Sequence, residues 1–142
     1  MTHGVRFVVP GKPVGKTVIR ARGNQYFVAP KTRAEMDAVR TIAGFAMAGR
    51  GPMAGPVELR LCAWVPIPQS WSQRKRALAR EGALLPVVKP DWDNIGKMCD
   101  ALKHVVWNDD AQVTDVHLWK RYSDDPRVVG EIRQIEPGGV GQ

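Results

Sequence analysis

Two aspartates one residue apart, a lysine four positions on, and a second acidic pair further along carry most of the chemistry in this chain. The run Lys89-Pro90-Asp91-Trp92-Asp93-Asn94 is followed by Lys97, Asp100 and Asp109-Asp110. Five carboxylates thus fall within twenty residues of a protein whose 21 Lys and Arg outnumber its 14 Asp and Glu, for a net charge of +7. An acidic cluster on a cationic molecule suggests a bound cation at a surface that meets a polyanion. Mg2+ prefers hard oxygen ligands and keeps several waters, so two or three carboxylates suffice to hold it. Such an ion activates a water, stabilises charge on a phosphate and assists the leaving oxygen. Asp91 and Asp93 open a helix and can turn toward one point. Asp109 or Asp110, arriving before the next strand, can meet them there. Lys97 is one turn beyond Asp93, placed to neutralise a phosphate, and Asp100 continues the stripe, to orient Lys97 or bind metal through water.

A purely structural account of the same residues stands beside this one. Asp91 suits a helix N-cap, and acids in a first turn complement the helix dipole. Asp93 and Lys97 suit an i,i+4 pair worth about 0.2–0.5 kcal/mol. Asp109-Asp110 suit a turn after Asn108.

The elements that must position these residues read as an α+β domain: a single compact unit over 1–136, a mixed sheet packed with about three helices, and a loose tail over 137–142. Val5–Val9 reads as a short strand and Thr17–Val28 as a hairpin or ordered loop around Gly23-Asn24. Thr32-Arg33-Ala34-Glu35 reads as a capping box ahead of a helix with Val39, Ile42, Ala43 and Ala46 on one face, stopping near Gly49. Pro56–Val65 alternates as a half-buried strand, with Val57, Leu59, Leu61, Ala63 and Val65 on one side. Ser70, with Gln73, is expected to open a second short helix that Gly82 closes. A third helix is expected from about Asp91 to His104, its core stripe Ile95, Met98, Cys99 and Leu102. Strands over Gln112–Tyr122 and Arg127–Ile135, joined by Ser123–Pro126, close the domain.

Composition narrows the function classes. The chain has 142 residues and is 44% hydrophobic, enough for one core. No apolar run approaches the ~20 residues of a membrane span, and Met1–Arg6 lacks a signal-peptide pattern, so a cytoplasmic location is expected. Cys62 and Cys99 lie in apolar-patterned segments and read as reduced core residues. There is no P-loop, no CxxC and no Ser/His/Asp order, which argues against NTPases, zinc modules and hydrolase triads. Candidate phosphate contacts are Lys12, Lys16, Arg20 and Arg22 near the first loop, and Arg74, Lys75, Arg76 and Lys89. Trp64, Trp71, Trp107 and Trp119 are expected mainly in the core or at contacts rather than stacked on bases. His104 and His117 are expected at the surface.

Residues 89–113 resemble the signature of RusA-type Holliday-junction resolvases. Lys89-Pro90-Asp91-Trp92-Asp93-Asn94-Ile95-Gly96-Lys97 matches its Pro-Asp-apolar-Asp-Asn run leading to a Lys. Asp100-Ala101-Leu102 and Trp107-Asn108-Asp109-Asp110-Ala111-Gln112-Val113 match the Asp-Ala-Leu and paired-Asp segments that follow. The resemblance implies a RusA-like fold and a homodimer, often phage-borne, that binds four-way DNA junctions and nicks two opposing strands with Mg2+, Mn2+ substituting, in recombination and repair. Carried over by position, it implies Asp91, Asp93 and Asp110 as metal ligands and Lys97 as the catalytic lysine, with Asp100 and Asp109 in support. A branch- or flap-cutting nuclease with the same site and a non-catalytic junction-binding protein are the alternatives. Two positions depart from the pattern: Trp92 replaces an aliphatic residue, and Gly96 inside a helix costs about 1 kcal/mol relative to Ala.

Overall fold

The computed structural model describes residues 4–15, 18–20, 23 and 25–136. Lys16, Arg22 and the tail 137–142 lie outside them, as does the side chain of Arg20. In chain order the elements are β1 (Gly4–Pro10), β2 (Val18–Arg20), β3 (Tyr26–Val28), α1 (Pro30–Met47), β4 (Val57–Pro66), α2 (Gln73–Arg80), α3 (Trp92–Lys97), β5 (Val113–Ser123) and β6 (Arg127–Gln134). The fold is α+β. Four strands form a mixed sheet in the order β1-β6-β4-β5, antiparallel except for β4 and β5, and β2 pairs with β3 as a hairpin. Parallel neighbours need a long crossover. Here that crossover carries α2, α3 and every acidic residue from Asp91 to Asp110.

Alternation builds the core. Val57, Leu59, Leu61, Ala63 and Val65 of β4 are buried, as are Val5, Phe7 and Val9 of β1 and Val128 and Ile132 of β6. Val39, Ala43 and Met47 of α1 pack with most of these, and so do Ile95, Met98, Ala101 and Leu102. Gly130 lies under Phe7: a methyl group there would sit 2.5 Å from the ring, so only glycine fits. On the opposite face of β4, Cys62 is 4% exposed, more buried than alternation alone suggests.

Three expectations are corrected. First, Thr32 and Glu35 do not form a capping box. Helix α1 begins at Pro30, whose fixed φ suits a first turn, with Ala29 before it. This places Thr32 and Glu35 inside the helix, facing the loop ahead of β2. The Thr32 hydroxyl donates to the Gly15 carbonyl (3.0 Å), and the Glu35 carboxylate accepts from Val14 N–H (2.8 Å) and Gly15 N–H (3.1 Å). Burial pushes the Glu35 carboxyl up, against the two N–H groups that favour its charge. Glu35→Ala therefore leaves two partly buried donors without this acceptor. It is expected to lower stability by about 1–3 kcal/mol, read by thermal unfolding.

Second, α2 is capped by Ser72, which accepts from Lys75 N–H at 3.2 Å, not by Ser70. Trp71 stands edge-on to Tyr122 with centroids 5.4 Å apart, and its backbone N–H donates to the Pro68 carbonyl at 3.3 Å, so residues 68–71 form a turn ahead of the helix. Third, the expected 91–104 helix is α-helical only to Lys97. Met98–Leu102 winds as a 3-10 turn, and His104 has φ +68°. Ile95, Met98 and Ala101 are spaced by three and all buried, which suits three residues per turn. Asp93 and Lys97 still share a face, but His104 is not on that helix.

Candidate active site

The loop that Glu35 holds leads to the site. Gly15, at φ +75°, lies so close to the start of α3 that a methyl group on it would come within 3.1 Å of Pro90 and 3.2 Å of Asn94. Pro90 is buried there. Asp91 occupies the N-cap position in extended conformation, and its carbonyl accepts from Asn94 and Ile95, both at 3.1 Å. Its carboxylate makes no capping bond. It accepts instead from Lys89 Nζ at 2.9 Å. Asp93 Oδ2 lies 3.9 Å from Lys97 Nζ, and the side chains of Asp91 and Asp93 are 49% and 50% exposed. Val87, Val88, Lys89, Asp91, Trp92, Asp93 and Lys120 line one open groove of about 650 Å3. The Lys120 amine donates to the Val88 carbonyl across it.

The paired aspartates have different surroundings. Asp109 Oδ1 accepts from Ala111 N–H at 2.9 Å and closes a capping box with Gln112. The Gln112 side-chain Oε1 accepts from Asn108 and Asp109 N–H, both at 3.0 Å, and its Nε2 donates to the Met53 and Gly55 carbonyls, both at 2.9 Å. Asp109 thus helps to lock the entry to β5. Asp110 Oδ1 accepts from the Trp107 indole N–H at 2.9 Å. Trp107, 1% exposed, ties that carboxylate to the core. Sequence reasoning missed this positioning role, although the three-residue spacing was available as a signal. Burial pushes the Cys99 thiol up to about 12, with Asp100 and Asp110 adding to it; both carboxylates therefore act on Cys99, which stays a neutral thiol. Burial pushes Cys62 up to about 11, against Arg121 and Arg127.

Among the described residues, no three His, Cys, Asp or Glu are grouped so as to hold a metal ion. The three-way convergence expected from the sequence is therefore not formed: Lys89, Lys97 and Trp107 engage Asp91, Asp93 and Asp110 separately. The donor chemistry nonetheless fits a hard divalent cation. Mg2+ commonly takes one or two protein carboxylates and completes its shell with water and substrate phosphate. Asp91 and Asp93 are half-exposed acids two residues apart at such a surface.

Among the other candidates, Lys12, Arg74 and Lys75 are exposed. Lys75 Nζ sits 4.1 Å over the Trp71 ring. The Arg76 Nε is buried without a hydrogen-bond partner. Arg127 stacks on Trp64 at 4.9 Å and Arg60 on Trp119 at 5.4 Å, so one face of each indole carries a guanidinium. His117 lies beside Trp119, centroids 4.7 Å apart. Trp92 does not pack inward: it is 69% exposed. Among the described residues no helix is long and apolar enough to cross a membrane.

Over residues 10–133 the chain matches the family described as Endodeoxyribonuclease RusA. It is also 41% identical over 86 residues to the Uncharacterized protein YqaN of Bacillus subtilis (strain 168). That stretch covers 58% of this chain and 61% of the Bacillus protein.

Proposed function

Because the chain belongs to the RusA endodeoxyribonuclease family, we propose that it is a divalent-cation-dependent nuclease that resolves four-way DNA junctions. The supporting observation is the groove where Asp91, Asp93 and Lys89 meet, with Lys97 3.9 Å from Asp93. Asp91 and Asp93, which line the groove, would hold Mg2+ or Mn2+ together with water and substrate phosphate, and Asp110, which is not grouped with them in the free protein, would join them only when ion and DNA are bound. Such an ion, when bound, supplies a more acidic water and polarises the phosphate. The Lys97 ammonium neutralises charge that builds on the phosphoryl oxygens as the bond to the leaving oxygen breaks. Lys89 and Lys120 border the groove and hold flanking phosphates. Trp107 fixes the Asp110 carboxylate. Asp109 supports the site by capping and Asp100 by its negative charge. Two copies of the chain, related by a dyad, would each cut one of two opposing strands, leaving 5′-phosphate and 3′-hydroxyl ends.

Cleavage of labelled four-way junction, flap and plain duplex, with and without Mg2+, tests this reading. Paired nicks in opposite arms of the junction, formed only with the cation, are expected. Junction binding with no nicking under Mg2+ or Mn2+ refutes the catalytic part, and preferential cutting of flaps refutes the substrate. Lys97→Ala should slow single-turnover nicking about 10²–10³-fold. Its junction Kd should change far less. Equal losses in both would make Lys97 a mere phosphate anchor.

A further inference from the structure

We propose that Trp92 is a stacking platform for an unpaired nucleobase beside the phosphate that is cut, and so distinguishes branched DNA from plain duplex. The inference rests on the endonuclease reading above and adds what its groove recognises.

Trp92 opens α3 between Asp91 and Asp93, yet it is 69% exposed. The core positions of this segment are filled by Ile95 and Met98, which are buried. An indole left in water forgoes the large apolar gain that usually fixes a tryptophan. Val87, 94% exposed, borders the same groove and extends the apolar strip. Cations surround it: Lys89 and Lys120 line the groove, and Lys97 stands 3.9 Å from Asp93. Ammonium groups for phosphates beside an open aromatic face for bases are the combination that holds single-stranded nucleic acid. An apolar protein partner fits poorly, since it would have to desolvate two carboxylates and their lysines.

Sequence adjacency adds the position. Trp92 is the chain neighbour of both carboxylates and lines the same groove, so a phosphate brought to them lies beside the indole. In a duplex, base faces are covered by their neighbours and only base edges reach the grooves. The indole then has nothing to stack on. At a branch point a base face can be freed. Stacking therefore adds to junction binding and adds nothing to duplex binding.

The test uses fluorescence anisotropy without divalent cation, on a four-way junction and a duplex of the same sequence. Trp92→Ala is expected to lose about tenfold in junction affinity. Duplex affinity should be unchanged, and Trp92→Tyr should retain most of the junction preference. A junction carrying 2-aminopurine next to the cut phosphate should be quenched by the unmodified protein and not by Trp92→Ala. Equal losses on both DNAs, or an unchanged junction-to-duplex ratio in a protein that still cuts junctions, overturn this inference and leave the nuclease reading intact. A native protein that neither prefers nor cuts junctions overturns both. Because Trp92 is exposed, Trp92→Ala should unfold at the native temperature, which excludes a folding defect.

Discussion

Asp93→Asn is expected to leave the protein folded and bound to junctions while nicking falls at least about 10³-fold. The substitution keeps the shape of a half-exposed side chain and removes its charge. Loss of an acid from a first helical turn costs only about 0.3–1 kcal/mol, so unfolding should barely change. Two consequences follow from the charge. A neutral amide is a poor ligand for a hard divalent cation. Lys97 is also freed from its carboxylate neighbour, so junction binding should hold or tighten. Single-turnover nicking and anisotropy on one preparation separate the two. Wild-type nicking by Asp93→Asn would remove Asp93 from the chemistry.

Trp107→Ala is expected to destabilise the fold by about 3–5 kcal/mol, read as a shift in the urea midpoint with an unchanged slope. The side chain is 1% exposed, and its backbone bridges to both Met53 and Lys103. Truncation leaves a void where the crossover returns to the sheet. Trp107→Phe retains most of the apolar bulk and loses the indole N–H that Asp110 accepts. Its main effect should be on nicking rather than on folding. A loss below about 1 kcal/mol in Trp107→Ala would mean that this part of the core is not cooperative with the sheet.

The sheet was legible in the sequence because alternation has one cause. Val57, Leu59, Leu61, Ala63 and Val65 had to face one layer, and they do. The early end of α3 was not legible. Spacings of three and four are both helical to the eye, and only packing selects the spacing-of-three winding that carries Met98 and Ala101 inward. Thr32 and Glu35 misled for a different reason. Their local pattern fits a cap, but their partners lie 17 to 21 residues earlier in the chain. At the site, the motif identified Asp91, Asp93 and Lys97 as a group, and their surroundings are now visible. Spacing alone could not divide Asp109 from Asp110, although the resemblance favoured Asp110. That division depends on Ala111 N–H and the Trp107 indole, a backbone turn and a buried ring meeting two adjacent carboxylates.

The path between the parallel strands β4 and β5 has an evolutionary corollary. It leaves and rejoins the sheet on adjacent strands, with every candidate metal ligand and Lys97 on it. It behaves as a cassette. Residues 81–88 are held within it by the buried Pro86, by Leu84 against the cluster of Val65, Ile67, Ala79 and Tyr122, and by Lys120 on the Val88 carbonyl, so the freedom there is of side chain rather than length, at the exposed Glu81, Ala83, Leu85 and Val87. Diversification of substrate preference is therefore cheapest there, and relatives of this chain should vary most just upstream of their first acidic pair.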